Sequence, residues 1–392
     1  MPTLFLVVFV NVLGFGLIVP LLPFYVERLG GGPEAVTLII ALYSLLQFVT
    51  SPLIGRLSDR YGRRPIMAWT MCGTILGHLL LGIADSLWLV VVSRAVLGIT
   101  AGNLGVAFAY ASDITTHSQR AKAIGTLSAA FGMGFMFGPG IGGLMAGTDL
   151  QTANFMLPAF SAAGLALIGL LCILWVLPET LKQEDRDGHR DAAKVSMLEQ
   201  IQVTLKLESM AILSLVSFLL YAAWSMLLAI FALWANRVLD YGPREIGFLF
   251  MYMGMIGTIT QLTLIGPLEK RFGEMPVILA TVTMMVIGLL LVGAATGLTM
   301  TIVATSILAA AHSIFTPMVT SIASKKAPPK ERGTVLGIFQ GIGGLGRVFG
   351  PAFAGFAFAE IGYSSPYFFG AAVMLPCCVL MLMMMRRANV SQ

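Results

Sequence analysis

The sequence predicts an all-α integral membrane protein whose twelve transmembrane helices form two pseudo-symmetric six-helix bundles. Three observations carry this. The 392 residues are 57% hydrophobic and only 11% charged, against roughly 25% charged in soluble domains, so a water-facing surface cannot be built from them. Apolar stretches long enough to cross a hydrocarbon core about 30 Å thick recur along the whole chain. The two halves also repeat each other at a nearly constant offset.

Taken in order, the spans fall near 3–26, 37–55, 66–84, 88–112, 121–145, 155–177, 209–235, 244–265, 276–295, 299–322, 332–357 and 365–385. No basic n-region precedes the first, so an uncleaved span is expected there. Between spans six and seven runs the longest polar stretch, centred on LKQEDRDGHRD, which divides the chain into a bundle at 1–177, a cytoplasmic linker at 178–208 and a second bundle at 209–392. Of the 24 Lys and Arg, nineteen lie on the side that holds both termini, three (Arg28, Arg237, Arg244) on the other, and Arg94 and Arg347 within spans. Basic residues accumulate on the cytoplasmic side, so both termini are expected there. The net charge of +5 then follows from topology, and no nucleic-acid partner is implied. Cys72, Cys172, Cys377 and Cys378 lack metal-ligand spacing and read as packing residues.

RAKAIGTLSAAFGMGFMFGPGIGG from Arg120 aligns with RGTVLGIFQGIGGLGRVFGPAFAG from Arg332 at an offset of 212, and GRLSDRYGRRP from Gly55 aligns with GPLEKRFGEMP from Gly266 at 211. Two equivalent motifs at nearly one offset indicate duplication. Repeated bundles let one half move against the other around a site near the midplane, which points to a transporter.

GRLSDRYGRRP resembles the signature loop of the major facilitator superfamily, and the likeness covers the whole chain through its twelve-span, two-half pattern. It implies the major facilitator fold and a cytoplasmic gate in which Asp59 joins a charge cluster. Gly55 is expected to permit close helix packing and Gly62 a sharp turn, while Arg60, Arg63 and Arg64 hold the loop inside. Lys270 stands where the repeat would place a second Asp, so an asymmetric latch is expected. GFMFGPGIGG resembles a motif of the family's antiporter branches. There Gly134, Gly138 and Gly142 recur every four residues to leave a flat face, beside Gly143, and Pro139 removes a backbone donor.

Arg94, followed by Gly98 and Gly102, resembles the family's fourth-span motif, whose arginine is linked to proton relay. A charge at membrane depth costs several kcal/mol unless paired or hydrated. Arg94 and Arg347 are therefore expected to face a central cavity, although Arg94 lies close enough to the outer end of its span to snorkel. Arg347 reads either as an anchor for a substrate anion or as a partner for a helix carbonyl.

NVLGFGLIVPLLP resembles the first-span pattern of tetracycline-type and related multidrug proton antiporters, with Asn11 in place of their Asp. An amide cannot titrate, whereas a buried carboxyl can be tuned towards neutrality. Three readings stay open: coupling through another group, a change that imitates the protonated acid, or a structural amide bonded to a neighbouring helix. All nineteen acidic residues fall in loops or near span ends. Asp113 on the inner side, Glu27 on the outer side and His312 or His78 are the alternative proton carriers, because imidazole titrates near neutrality. Gln47, Asn103, Tyr221, Trp224, Phe231, Tyr252, Gln261 and Gln340 are expected to line a mostly apolar cavity with a few polar groups, which suits an amphipathic molecule.

GIGGLG at Gly341 lies in an apolar span with no preceding strand, and no GxxxxGK[ST] occurs, so nucleotide binding is not expected. Asn389-Val390-Ser391 fits a glycosylation acceptor on the cytoplasmic side, where it should stay unused. The reading is proton-coupled efflux of amphipathic organic compounds by alternating access, as in the tetracycline-efflux-like branch, from a bacterial plasma membrane. No metal and no cofactor beyond the proton gradient are expected. The expected partners are the bilayer, a small amphipathic substrate and protons, with the protein as a monomer. A lipid or lysolipid flippase of the same superfamily is the alternative, and a membrane-embedded lipid enzyme a remote one, since no acid, base and nucleophile constellation is visible.

Overall fold

A computed structural model describes residues 1–116, 119–180, 197–207, 209–328 and 332–390, apart from the side chains of 121, 197, 198 and 387–390. Residues 181–196 and 208 of the expected linker lie outside the described residues. So do Lys182, Arg186, Arg190, Lys194 and Lys330 of the orientation count, and Ser391 of the acceptor motif.

Among the described residues the regular structure is all helical, as backbone polar groups in hydrocarbon must be satisfied within their own segment. The first span is a bent pair, α1 (Pro2–Ile18) and α2 (Leu22–Arg28), whose axes differ by 41°. Pro20 and Pro23 supply no backbone donors at the break, which is why the helix does not run through. There follow α3 (Pro33–Tyr61) and α4 (Arg63–Gly82), then α5 (Leu87–Thr100) and α6 (Asn103–Asp113), which together form the fourth span. The first six spans end with α7 (Arg120–Ala146) and α8 (Met156–Val176). A short helix, α9 (Met197–Lys206), precedes α10 (Met210–Leu239), α11 (Pro243–Thr263), α12 (Ile265–Phe272), α13 (Glu274–Ala294), α14 (Leu298–Lys326), α15 (Arg332–Glu360) and α16 (Ser365–Val390). Among the described residues eleven helices are long and apolar enough to cross a membrane, and twelve when the bent pair counts as one span. Several run past the expected limits; the second span, expected at 37–55, is Pro33–Tyr61.

The residues separate into two compact units, one of Met1–Lys194 with Tyr241–Gly254, the other of Val195–Asp240 with Met255–Gln392. The stretch 241–254, which the sequence places in the second bundle, packs on α7. A Cβ on Gly143 would lie 2.7 Å from the Pro243 carbonyl oxygen, and one on Gly140 would lie 2.6 Å from the Met251 sulfur. Small residues let these backbones approach.

Packing within each unit reproduces the duplication. In the first unit Gly77 of α4 admits Leu97 and the Ser93 carbonyl of α5; in the second, Gly288 of α13 admits Leu308 and the Ala304 carbonyl of α14. Likewise α1 lies against α7 through Gly134, Gly138 and Gly142, while α10 lies against α15 through Gly346 and Gly350. A Cβ on Gly138 would come within 2.7 Å of the Gly16 Cα. The flat face read from the four-residue glycine spacing is therefore the α1–α7 contact.

Candidate functional site

Three groups of polar residues stand out against the apolar interior. The first is the loop between α3 and α4. Gly62 adopts φ 109° and ψ 153°, a left-handed-side conformation that L side chains rarely take, and it allows α4 to start one residue after α3 ends. Arg63 is thereby turned inward and buried. Its guanidinium meets Asp59 at 2.5 Å and Asp113 at the end of α6 at 3.0 Å, and Nη1 donates to Ser58 Oγ at 2.7 Å. Glu179, just beyond α8, accepts from the backbone N–H groups of Arg63 and Arg64 at 3.0 and 3.1 Å. That caps the positive end of α4 with a carboxylate. Arg64 in turn donates to the Ile173 and Leu174 carbonyls at the end of α8, and Tyr110 Oη donates to the Pro178 carbonyl at 2.8 Å. Sequence reading found Asp59, Arg63 and Arg64 but missed Ser58 and Glu179.

Two expectations change here. Nothing lies within 4 Å of a Cβ built on Gly55, so among the described residues it is not a close-packing glycine; its face of α3 is open. Asp113, considered as a proton carrier, is bonded to Arg63 and accepts from Thr180 Oγ1 at 3.4 Å. It belongs to the loop cluster, because α6 ends where α4 begins. Arg60 stays exposed, its guanidinium 5.2 Å from the Tyr61 ring.

The second group is in the interior of the first unit. Asn11 of α1 and Asn103 of α6 line one small pocket with Val7, Val8, Met67, Met71, Leu104 and Ala107. Asn103 faces inward because the fourth span breaks at Ala101–Gly102, where a Cβ on Gly102 would press on Ile54. Arg94 of α5 is 3% exposed, which rules out snorkelling, and among the described residues its Nε and Nη2 have no hydrogen-bond partner. His78 of α4, 2% exposed with Nδ1 unpartnered, lies within electrostatic reach of it, as does Tyr43. Glu27 is half-buried on α2.

The third group is in the second unit and joins three helices. Trp224 of α10 stacks on His312 of α14 with centroids 4.2 Å apart and planes 12° apart. Tyr221 meets the same imidazole edge-on at 5.9 Å and donates from Oη to Thr316 Oγ1 at 3.3 Å. Arg347 of α15 places its guanidinium carbon 5.7 Å from the Tyr221 ring centroid, a cation–π contact. A charge at the centre of a membrane helix costs about 3 kcal/mol on insertion scales, so this placement needs a compensating environment. Thr316, not anticipated, sits one turn beyond His312 on α14.

Phe231 is corrected. It is 0% exposed and stacks on Trp234 at 5.7 Å, and Trp234 Nε1 donates to Ser364 Oγ at 3.2 Å. Residues 229–235 of α10 are buried without a break, so helical spacing there selects no open face. Gln47, Gln261, Gln340 and Tyr252 keep accessible surface but join neither interior group.

With this geometry in hand, known proteins resemble the chain as follows. The Major Facilitator Superfamily profile matches residues 4–262 and 213–391. Multidrug resistance protein 2 of Bacillus subtilis (strain 168) is 28% identical over 371 residues, covering 94% of this chain and 90% of that protein. The class C tetracycline resistance protein of Escherichia coli is 28% identical over 344 residues, covering 87% and 85%. The crystal structure of the human organic anion transporter MFSD10 superposes with a TM-score of 0.72 at 24% identity, covering 97% of this chain and 98% of that one.

Proposed function

The chain belongs to the major facilitator superfamily, and from that premise we propose that it is a proton-coupled exporter of amphipathic organic compounds, of the multidrug or tetracycline type, working by alternating access. It would sit in a bacterial plasma membrane with both termini cytoplasmic. The observation that carries this reading is the match to a multidrug resistance protein over 94% of the chain. The loop cluster around Arg63 supports it as a cytoplasmic gate, since its ion pairs tie α3, α4 and α6 together on the side expected to face the cytoplasm.

Asn11 in its pocket supplies fixed hydrogen-bonding atoms and no proton site. With Asp113 held by Arg63, His312 is the titratable side chain placed among the aromatic rings of the second unit. We assign it the proton on that placement, since an imidazole nitrogen can take up and release one.

The test is transport of tetracycline in proteoliposomes with an imposed pH gradient. Gradient-driven movement that disappears in His312→Gln is expected for the native chain, and Asn11→Asp should increase the dependence on the gradient. Equal rates with and without the gradient in all three proteins would reject proton coupling.

A further inference from the structure

We infer that Arg347, Tyr221, Trp224 and His312 form a binding site for an organic anion, an aromatic amphipath that carries a carboxylate or sulfonate. This rests on the export reading and narrows its substrate class.

Arg347 lies fifteen residues from the start of α15 and thirteen from its end. At 1.5 Å per residue it is about 22 and 20 Å from the two ends, which is mid-membrane depth. Among the described residues no ion pair reaches Arg347. Its contact is with the face of Tyr221. That contact consumes none of the five guanidinium donors, so the planar fork remains open to a bidentate carboxylate.

The surrounding rings are held in place. Tyr221 is tied to Thr316 by its hydroxyl and backed by Gly343, where a Cβ would lie 2.9 Å from the ring. His312 is stacked on Trp224, and all four side chains keep accessible surface. A ligand ring therefore has a flat aromatic platform beside a cation, while a cationic ligand would meet Arg347 with no acid to offset the repulsion.

The repeat strengthens the case. At an offset of 212 the first half has Phe135, which stacks on Phe131 with centroids 6.3 Å apart and needs no charge. Packing at this position is satisfied by a phenyl ring, so the guanidinium is not a requirement of the duplicated fold.

The experiment measures scintillation-proximity binding of radiolabelled 2-naphthoate, 2-naphthamide and 2-naphthylmethylammonium to the full-length protein in nanodiscs, beside transport of the same probes in proteoliposomes. Naphthoate should bind about tenfold or more tighter than the amide, with the ammonium weakest. In Arg347→Gln the ratio of naphthoate to amide affinity should fall to about one, and Arg347→Lys should retain part of it. A packing defect would lower both affinities and leave the ratio standing, and that result overturns the inference. A ratio near one in the native chain, with the amide bound and exported, also overturns it but leaves the export reading intact. Failure to bind or move any of the three probes would sink both.

Discussion

At the start of α4, Arg63 pairs with Asp113 at the end of α6 at 3.0 Å; 211 residues on, at the start of α13, Glu274 pairs with Lys325 near the end of α14 at 2.8 Å. The two partners at the span ends, 113 and 325, are themselves 212 apart. Duplication has thus retained a cross-link between a loop and the end of the span two further on, while exchanging the sign of both partners. The surroundings differ as well. The Arg63 side chain is 11% exposed and also holds Asp59 and Ser58, whereas Lys325 is 63% exposed, with Ser321 and a distant Glu269 beside the pair. The first cluster is a network under helix ends and the second is a surface pair. Asp59 against Lys270, the contrast visible in the motif, is a poor guide to whether the second loop is pinned.

The largest effect that would sharpen this contrast is in Arg63→Ala, which strands Asp59 and Asp113 together. Removing one partner of a buried pair costs about 3–5 kcal/mol; partial exposure of Asp113 reduces this to about 2 kcal/mol here. Export per unit of membrane protein should fall about tenfold or more, with a lower melting temperature. An intact Arg63→Ala protein would dissolve the distinction between network and pair.

Next is the double exchange. Arg63→Asp with Asp113→Arg should stay impaired, because Asp59 and Ser58 still require a cation at 63, whereas Glu274→Lys with Lys325→Glu should recover most activity. Recovery of both, in an efflux assay with the single variants alongside, would show that each loop needs only an ion pair.

Glu274→Ala should cost less, about 1 kcal/mol, because its partner is largely solvated. Its thermal stability should also depend less on salt than that of the native chain, since the exposed pair it has lost is one that salt screens. The smallest effect is expected in Lys270→Asp, within about 0.5 kcal/mol as for ordinary surface sites. A loss of export comparable with that of Arg63→Ala would overturn the ranking.

The reverse-polarity pair was within reach of the repeat arithmetic. Carried from 63 and 113, the offset lands on Glu274 and Lys325, opposite in sign at both places. Other features had weaker signals. Glu179 stands alone beyond the sixth span, and only its position next to α4 shows that it caps Arg63 and Arg64. Phe231 shares helical spacing with Tyr221 and Trp224, yet α10 is enclosed on every side over 229–235, and spacing cannot report enclosure.

Hydropathy, glycine spacing and the internal offset were enough to establish a twelve-span, duplicated helical protein, because lipid leaves the backbone little choice but to bond within its own segment. Those signals run along one dimension and survive without knowledge of helix rotation. Which polar side chains come together was decided by the fold: Asp113 against Arg63, Asn11 and Asn103 on the wall of one pocket, Arg347 over Tyr221. Each of these depends on the rotation and closeness of at least two helices, set by glycine contacts far apart in the chain, and a charge or an amide carries no mark of its eventual neighbour.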